Sequence, residues 1–184
     1  MDKIKDVRVL TVSAFLVAIA IVLGFFKIPI TEFVEIRFQF IPIALGGALF
    51  GPAMGGIIGM LADILGYVVK PTGAYFPGFT ISSIVVGVIY GLFFYRKKLT
   101  LPRVIMAELT VTIIRSIVLN TINLSILYGE GFLAILSTRI LKTIVMFPVN
   151  VVILFLSLTL LPRLLPKEIR LDFLTSEEIS VDKP

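Results

Sequence analysis

Six apolar runs, most of them long enough to cross a bilayer and separated by short polar breaks, leave this chain little choice of solvent. A backbone inside hydrocarbon must satisfy its own hydrogen bonds, so each run must be a helix of about 20 residues or a strand of a closed barrel. The runs are too long and too unalternating for barrel strands. Hydrophobic residues make up 58% of the 184, charged ones 16%, and the mean hydropathy is +1.06, well beyond a soluble domain. The expected fold is therefore an all-α membrane protein. With no cysteine and no histidine, disulfides, thiolate chemistry and imidazole bases or metal ligands are excluded.

The first predicted span runs from about Arg8 to Phe26, and no small-residue cleavage site marks it as a signal peptide. "IRFQFIPIALGGALFG" and "PAMGGIIGMLADILGYVV" form the second and third, joined by a tight Gly51-Pro52 turn. The fourth covers Phe79 to Tyr95, and the fifth runs from Pro102 to about Tyr128. The sixth extends from about Leu133 to Leu161, where Pro162 and Pro166 predict its stop. Residues 1–165 thus read as one compact six-helix transmembrane domain, and 166–184 as a polar cytoplasmic tail.

An even number of spans puts both termini on one side. That side collects Lys3, Lys5 and Arg8, the loop "YRKKLTLPR", and Arg163, Lys167 and Arg170, so it should face the cytoplasm. Lys27, Arg37, Lys70 and Arg139 fall on the other side with Glu32, Glu35 and Glu130. The net charge of +5 is then a topology signal and implies no nucleic-acid partner.

Gly47, Gly51, Gly55 and Gly59 recur every fourth position, and Gly87 and Gly91 repeat the pattern in the fourth span. Small residues so spaced let helix backbones approach closely inside the bundle. Ala14 and Ala18 share a face of the first helix, which reads equally as internal packing or as a docking face for another membrane protein.

Charges within a span are costly, about 2.5–3.5 kcal/mol at the bilayer centre, and usually face the bundle interior or a wet cavity. Asp63 lies in the third span. Glu108, Thr112, Arg115, Asn120 and Asn123 form a slanting stripe on the fifth, with Ser116 alongside, and Arg139, Lys142 and Asn150 share a face of the sixth, interrupted by Met146. Pairing among them, such as Arg115 with Asp63 or Glu108, would make structural fasteners. Alternatively Asp63, Asn120, Asn123, Arg139, Lys142 and Asn150 line a cavity open to the outside, suited to an elongated flat molecule with a negative end. "KPTGAYFPGFT", with its prolines, glycines and aromatics, would form the cavity's gate and wall.

The stretches "IRFQFIPIALGGALFGPAMGG", "GMLADILGYVVKPTGAYFPGFTISS" and "GVIYGLFFYRKK", with "LNTINLSIL" and "RILKTIVMFPVNVVIL", resemble the folate family of substrate-binding S components of energy-coupling factor (ECF) transporters. The resemblance covers about residues 8 to 162, and "PTGAYFPGFT" after an Asp-bearing helix is its most specific part. It implies a non-enzymatic vitamin-binding protein of the prokaryotic plasma membrane. Its partners would be a transmembrane coupling protein and two cytoplasmic ATPase subunits; no Walker-type phosphate loop occurs in the chain itself. Ala14 and Ala18 match the family's docking face, and "KIPITEFVE" its lid.

For folate, Asp63 or Asn150 is expected to read the pterin edge, with Asn120 and Asn123 as further candidates. Arg37, Arg139 and Lys142 would neutralise the glutamate carboxylates. Tyr75, Phe76 and Phe79 would pack on the rings, and Pro77 and Gly78 would shape the wall beside them. No cofactor or metal is expected. The competing readings are another vitamin or pterin-like ligand on the same scaffold, a self-sufficient secondary transporter, and a membrane enzyme; against the last stands the lack of histidine, cysteine and clustered carboxylates.

Overall fold

The computed structural model describes residues 7–31, 34–71, 75–129 and 132–164. Six spans form one helical bundle, as the apolar runs predict. They are α1 (Val7–Phe25), α2 (Phe40–Phe50), α3 (Pro52–Val69), α4 (Pro77–Phe94), a fifth span in three pieces, and α7 (Phe132–Leu164). The fifth span joins α5 (Leu101–Val111), a π-helical stretch (Thr112–Leu119) and α6 (Asn120–Tyr128). Five spans are long and apolar enough to cross a membrane, whereas α2 is shorter. Exposed Leu, Ile, Val and Phe side chains cover the outside of the bundle, among them Val7, Phe15, Ile126, Ile144 and Val152.

Three details differ from the sequence reading. The second span does not begin at Ile36, because residues up to Arg37 belong to an antiparallel hairpin, β1 (Lys27–Thr31) with β2 (Val34–Arg37). Lys27 pairs with Arg37 and Ile28 with Ile36, and the register shifts between Pro29 and Thr31. The predicted lid therefore has a paired backbone, leaving α2 about 16 Å of helix at about 1.5 Å per residue. The last helix continues through Pro162 to Leu164. Proline is tolerated inside a membrane helix where neighbouring groups re-satisfy the carbonyl it frees. The fifth span is wound with i→i+5 bonds at its centre, where the Asn120 N–H reaches the Arg115 carbonyl. The predicted tail, 166–184, lies outside the described residues.

Glycine decides how the first four spans pack. Gly51, at φ +97°, makes the turn from α2 to α3, and Pro52 opens α3 where its missing N–H costs nothing. A Cβ on Gly55 would overlap the Gly87 carbonyl, and one on Gly87 would overlap the Gly55 carbonyl. On Gly91 it would strike Pro52, and on Gly47 it would stand 2.8 Å from the Gly91 nitrogen. The backbones of α2, α3 and α4 thus touch directly, as the four-residue glycine spacing predicts. Ile43, Ala44, Ile58, Val86 and Tyr90 fill this core, continued by Val104, Ala107 and Val111 of α5 and Leu154 and Leu158 of α7.

Candidate ligand site

Two polar clusters lie inside the bundle, one toward the end that carries the β-hairpin and one toward the end that carries Arg96. The first is built on Asp63, about 9 Å from the hairpin end of α3 at about 1.5 Å per residue. Its Oδ2 accepts a hydrogen bond from Thr80 Oγ1 at 2.7 Å, and its Oδ1 one from Ser83 Oγ at 3.4 Å. Both donors stand on the first turns of α4, placed there by Pro77 at the start of the helix. Thr80 Oγ1 lies also 3.0 Å from the Tyr75 hydroxyl.

Aromatic rings gather at the same end of the bundle. Tyr67, one turn beyond Asp63 on the same helix, packs its ring 5.1 Å from that of Tyr75, tilted by 54°. Phe76 and Phe79 meet edge to face at 6.0 Å, and the Lys70 ammonium lies 5.7 Å from the Phe25 ring centroid, joining the ends of α3 and α1. Asn123 of α6 bonds to α4 as well: its Nδ2 donates to Ser82 Oγ at 3.2 Å, and Ser82 Oγ donates to the Gly78 carbonyl at 2.9 Å. Gly78 has no room for a side chain, since a Cβ there would overlap Asn123 Oδ1. The predicted residues thus gather at the start of α4 in two groups: Asp63 and Tyr75 meet at Thr80, whereas Phe76 and Asn123 lie against Gly78, with Phe79 beside Phe76.

The second cluster centres on Glu108, only 3% exposed. Its Oε2 accepts from the Tyr90 hydroxyl at 2.7 Å and its Oε1 from Asn150 Nδ2 at 3.1 Å, tying α4, α5 and α7 together. Arg115 adds an electrostatic attraction to the same carboxylate. Tyr90 stacks on Phe94 at 6.0 Å. Along α4, Thr80 and Tyr90 are about 15 Å apart, so the clusters occupy different depths. Asn150 therefore sits away from Asp63, in the deeper tie. Of the two fasteners expected for Arg115, the one with Glu108 matches this attraction, while the hydrogen bonds described for Asp63 come from hydroxyls.

Asn120 is half-buried where the π-helical stretch passes into α6. Arg37 lies in β2 and Arg139 and Lys142 in α7, but their side chains fall outside the described residues, as do residues 72–74 of the predicted gate. Ala14 and Ala18 are exposed on α1, whose buried face carries Ser13, Leu16, Val17 and Ala20. The sequence reading missed Tyr67, Thr80 and Ser83. Their signal was present: Tyr67 follows Asp63 by one helical turn, and Thr80 and Ser83 share a face of α4.

Comparison with known proteins places this geometry in context. The family model "ECF transporter, substrate-specific component" matches residues 8–158. The Folate transporter FolT of Clostridium novyi (strain NT) is 41% identical over 151 residues, covering 82% of this chain and 88% of the relative. That of Leuconostoc mesenteroides subsp. mesenteroides is 31% identical over 152 residues, covering 79% and 82%. A crystal structure of FolT bound with folic acid superposes with a TM-score of 0.75 at 37% identity, covering 82% of this chain and 92% of the other. The S component of a bacterial ECF transporter superposes with a TM-score of 0.59 at 27% identity, covering 83% and 95%.

Proposed function

The chain belongs to the family of ECF transporter substrate-specific components, and from that premise we propose that it binds folate at the Asp63 cluster and delivers it for ATP-driven uptake. It is a multi-pass protein of the cell membrane and not an enzyme. Its energy comes from an ECF module, which we take to comprise one transmembrane coupling protein and two cytoplasmic ATPases.

The observation that carries this reading is the Asp63 carboxylate, held between α3 and α4 by the hydroxyls of Thr80 and Ser83, with Tyr75 bonded to Thr80 and packed on Tyr67. A pterin is flat and carries an amino-pyrimidine edge rich in N–H donors. A carboxylate facing that edge accepts charge-assisted hydrogen bonds, while aromatic rings take up the faces. Asn123 supplies a second polar partner. Arg37, Arg139 and Lys142 neutralise the glutamate carboxylates nearer the mouth, and the β-hairpin and the connection between α3 and α4 close over the vitamin. In this reading the hairpin end faces outward, the Arg96 end faces the cytoplasm, and the exposed Ala14 and Ala18 dock on the coupling protein.

Calorimetric titration with folic acid tests the assignment. Tight binding is expected for the native chain, with a loss of tenfold or more for Asp63→Asn, about the worth of a hydrogen bond to a charged group. A native protein that co-purifies with no pteridine absorption and fails to bind added folic acid would sink the folate reading. Undiminished affinity in Asp63→Asn would move the site elsewhere.

A further inference from the structure

Hydrogen accounting around Asp63 leads to a role for a residue that makes no demand on the ligand itself. A threonine hydroxyl has one proton. Thr80 Oγ1 commits it to Asp63 Oδ2 at 2.7 Å, so the 3.0 Å contact with the Tyr75 hydroxyl must run the other way, with tyrosine donating. The chain is thus directional: Tyr75 O–H to Thr80, Thr80 O–H to Asp63. Each donor polarises the next and strengthens the bond that fixes the carboxylate.

The two carboxylate oxygens are therefore not equivalent. Oδ2 is anchored by a short bond, whereas Oδ1 has, among the described residues, the Ser83 hydroxyl alone at 3.4 Å, near the limit of a hydrogen bond. Asp63 itself is half-buried, on the face of α3 that also carries Tyr67. An incoming donor finds Oδ1 nearly unclaimed and already oriented.

We propose that Thr80 is a positioning residue for ligand recognition: with the proton of Tyr75 behind it, it locks Asp63 so that Oδ1 faces the amino-pyrimidine edge, and so sets selectivity for ligands that carry the exocyclic amino group. This inference rests on the assignment of Asp63 to the folate site.

The test compares folic acid with its 2-desamino analogue in titrations of the native protein and of Thr80→Val, Thr80→Ser, Asp63→Ala and the double variant. Thr80→Val should bind folic acid about tenfold more weakly while barely changing the analogue, so the ratio between the two ligands collapses. Thr80→Ser, which keeps the hydroxyl, should restore the ratio. In the Asp63→Ala background Thr80→Val should change nothing further, since no carboxylate remains to aim. Tyr75→Phe keeps the ring packed on Tyr67 and removes only the donated proton; it should shift the ratio the same way by about threefold, and it serves where Thr80→Val fails to fold. An unchanged ratio in Thr80→Val or in its Tyr75→Phe substitute, a Thr80→Ser variant as weak as Thr80→Val, or additive losses in the double variant would each overturn the proposal. If Asp63→Ala keeps the native ratio, the site reading itself is wrong and this inference falls with it. If Asp63→Ala loses the ratio and Thr80→Val does not, only the role of Thr80 is refuted.

Discussion

Glu108 spends both carboxylate oxygens on side chains from other helices, Tyr90 on one and Asn150 on the other. Deleting such an acceptor strands two donors in a dry interior, at about 1–3 kcal/mol for each buried unsatisfied group. Glu108→Ala should therefore lower the thermal midpoint in detergent clearly, and Glu108→Gln less, because the amide keeps one acceptor. Equal midpoints for the two variants would remove the tie from the account. At this scale the sequence was partly legible. The depth of Asp63 follows from counting along one helix, so its place near one end could be read directly. The partners of Asn150 could not, because they depend on how α4, α5 and α7 are rotated about their axes, which packing sets and spacing alone does not. Thr80 and Ser83 escaped for a related reason: hydroxyls in apolar helices usually bond to their own backbone, as Thr11, Thr110 and Thr159 do here.

At the scale of elements, the glycine spacing was the most reliable signal, since four-residue recurrence on two helices admits close backbone contact and little else. Gly87→Ala should force α3 and α4 apart against the Gly55 carbonyl, costing about 1–3 kcal/mol as overpacking does. Gly66 has nothing within 4 Å of its would-be Cβ, so Gly66→Ala should hold or raise the midpoint, by up to about 1 kcal/mol from helix propensity. Thermal unfolding of the two variants side by side checks the contrast. The π-helical stretch also had a trace in the sequence. Arg115 and Asn120 were five apart in a stripe otherwise stepping by three and four, and i→i+5 pairing is what brings such residues together. The shortness of α2 was harder to read, because Ile36, Phe38 and Phe40 carry the apolar pattern back past its start, although Glu35, Arg37 and Gln39 alternate with them as in a strand.

For the whole molecule, two surfaces carry separate tasks. On the proposed function, the Asp63 cluster between α3 and α4 takes the ligand, and Ala14 and Ala18, exposed on α1, take the partner. Replacing both alanines by tryptophan should leave folic acid titration unchanged while abolishing co-purification with the ECF module. Loss of folic acid binding in that variant would show that α1 supports the site after all. The chain order of the spans was legible from hydropathy, and the family from the loop between the third and fourth; their mutual arrangement needed coordinates.

The direct backbone contact among α2, α3 and α4 also divides the molecule by stiffness. Where backbones touch, a helix cannot open by swinging side chains aside, whereas the fifth span meets α4 through side chains and is wound loosely at its centre. Amide protons of 52–69 and 77–94 should thus exchange with deuterium last and together, and those of 112–128 well before them. If folic acid reaches from the Asp63 cluster to Asn123 of α6, it should slow exchange in the second group and leave the first unchanged. Binding would then be felt as a loss of freedom in the fifth span, with α3 and α4 serving as a fixed wall.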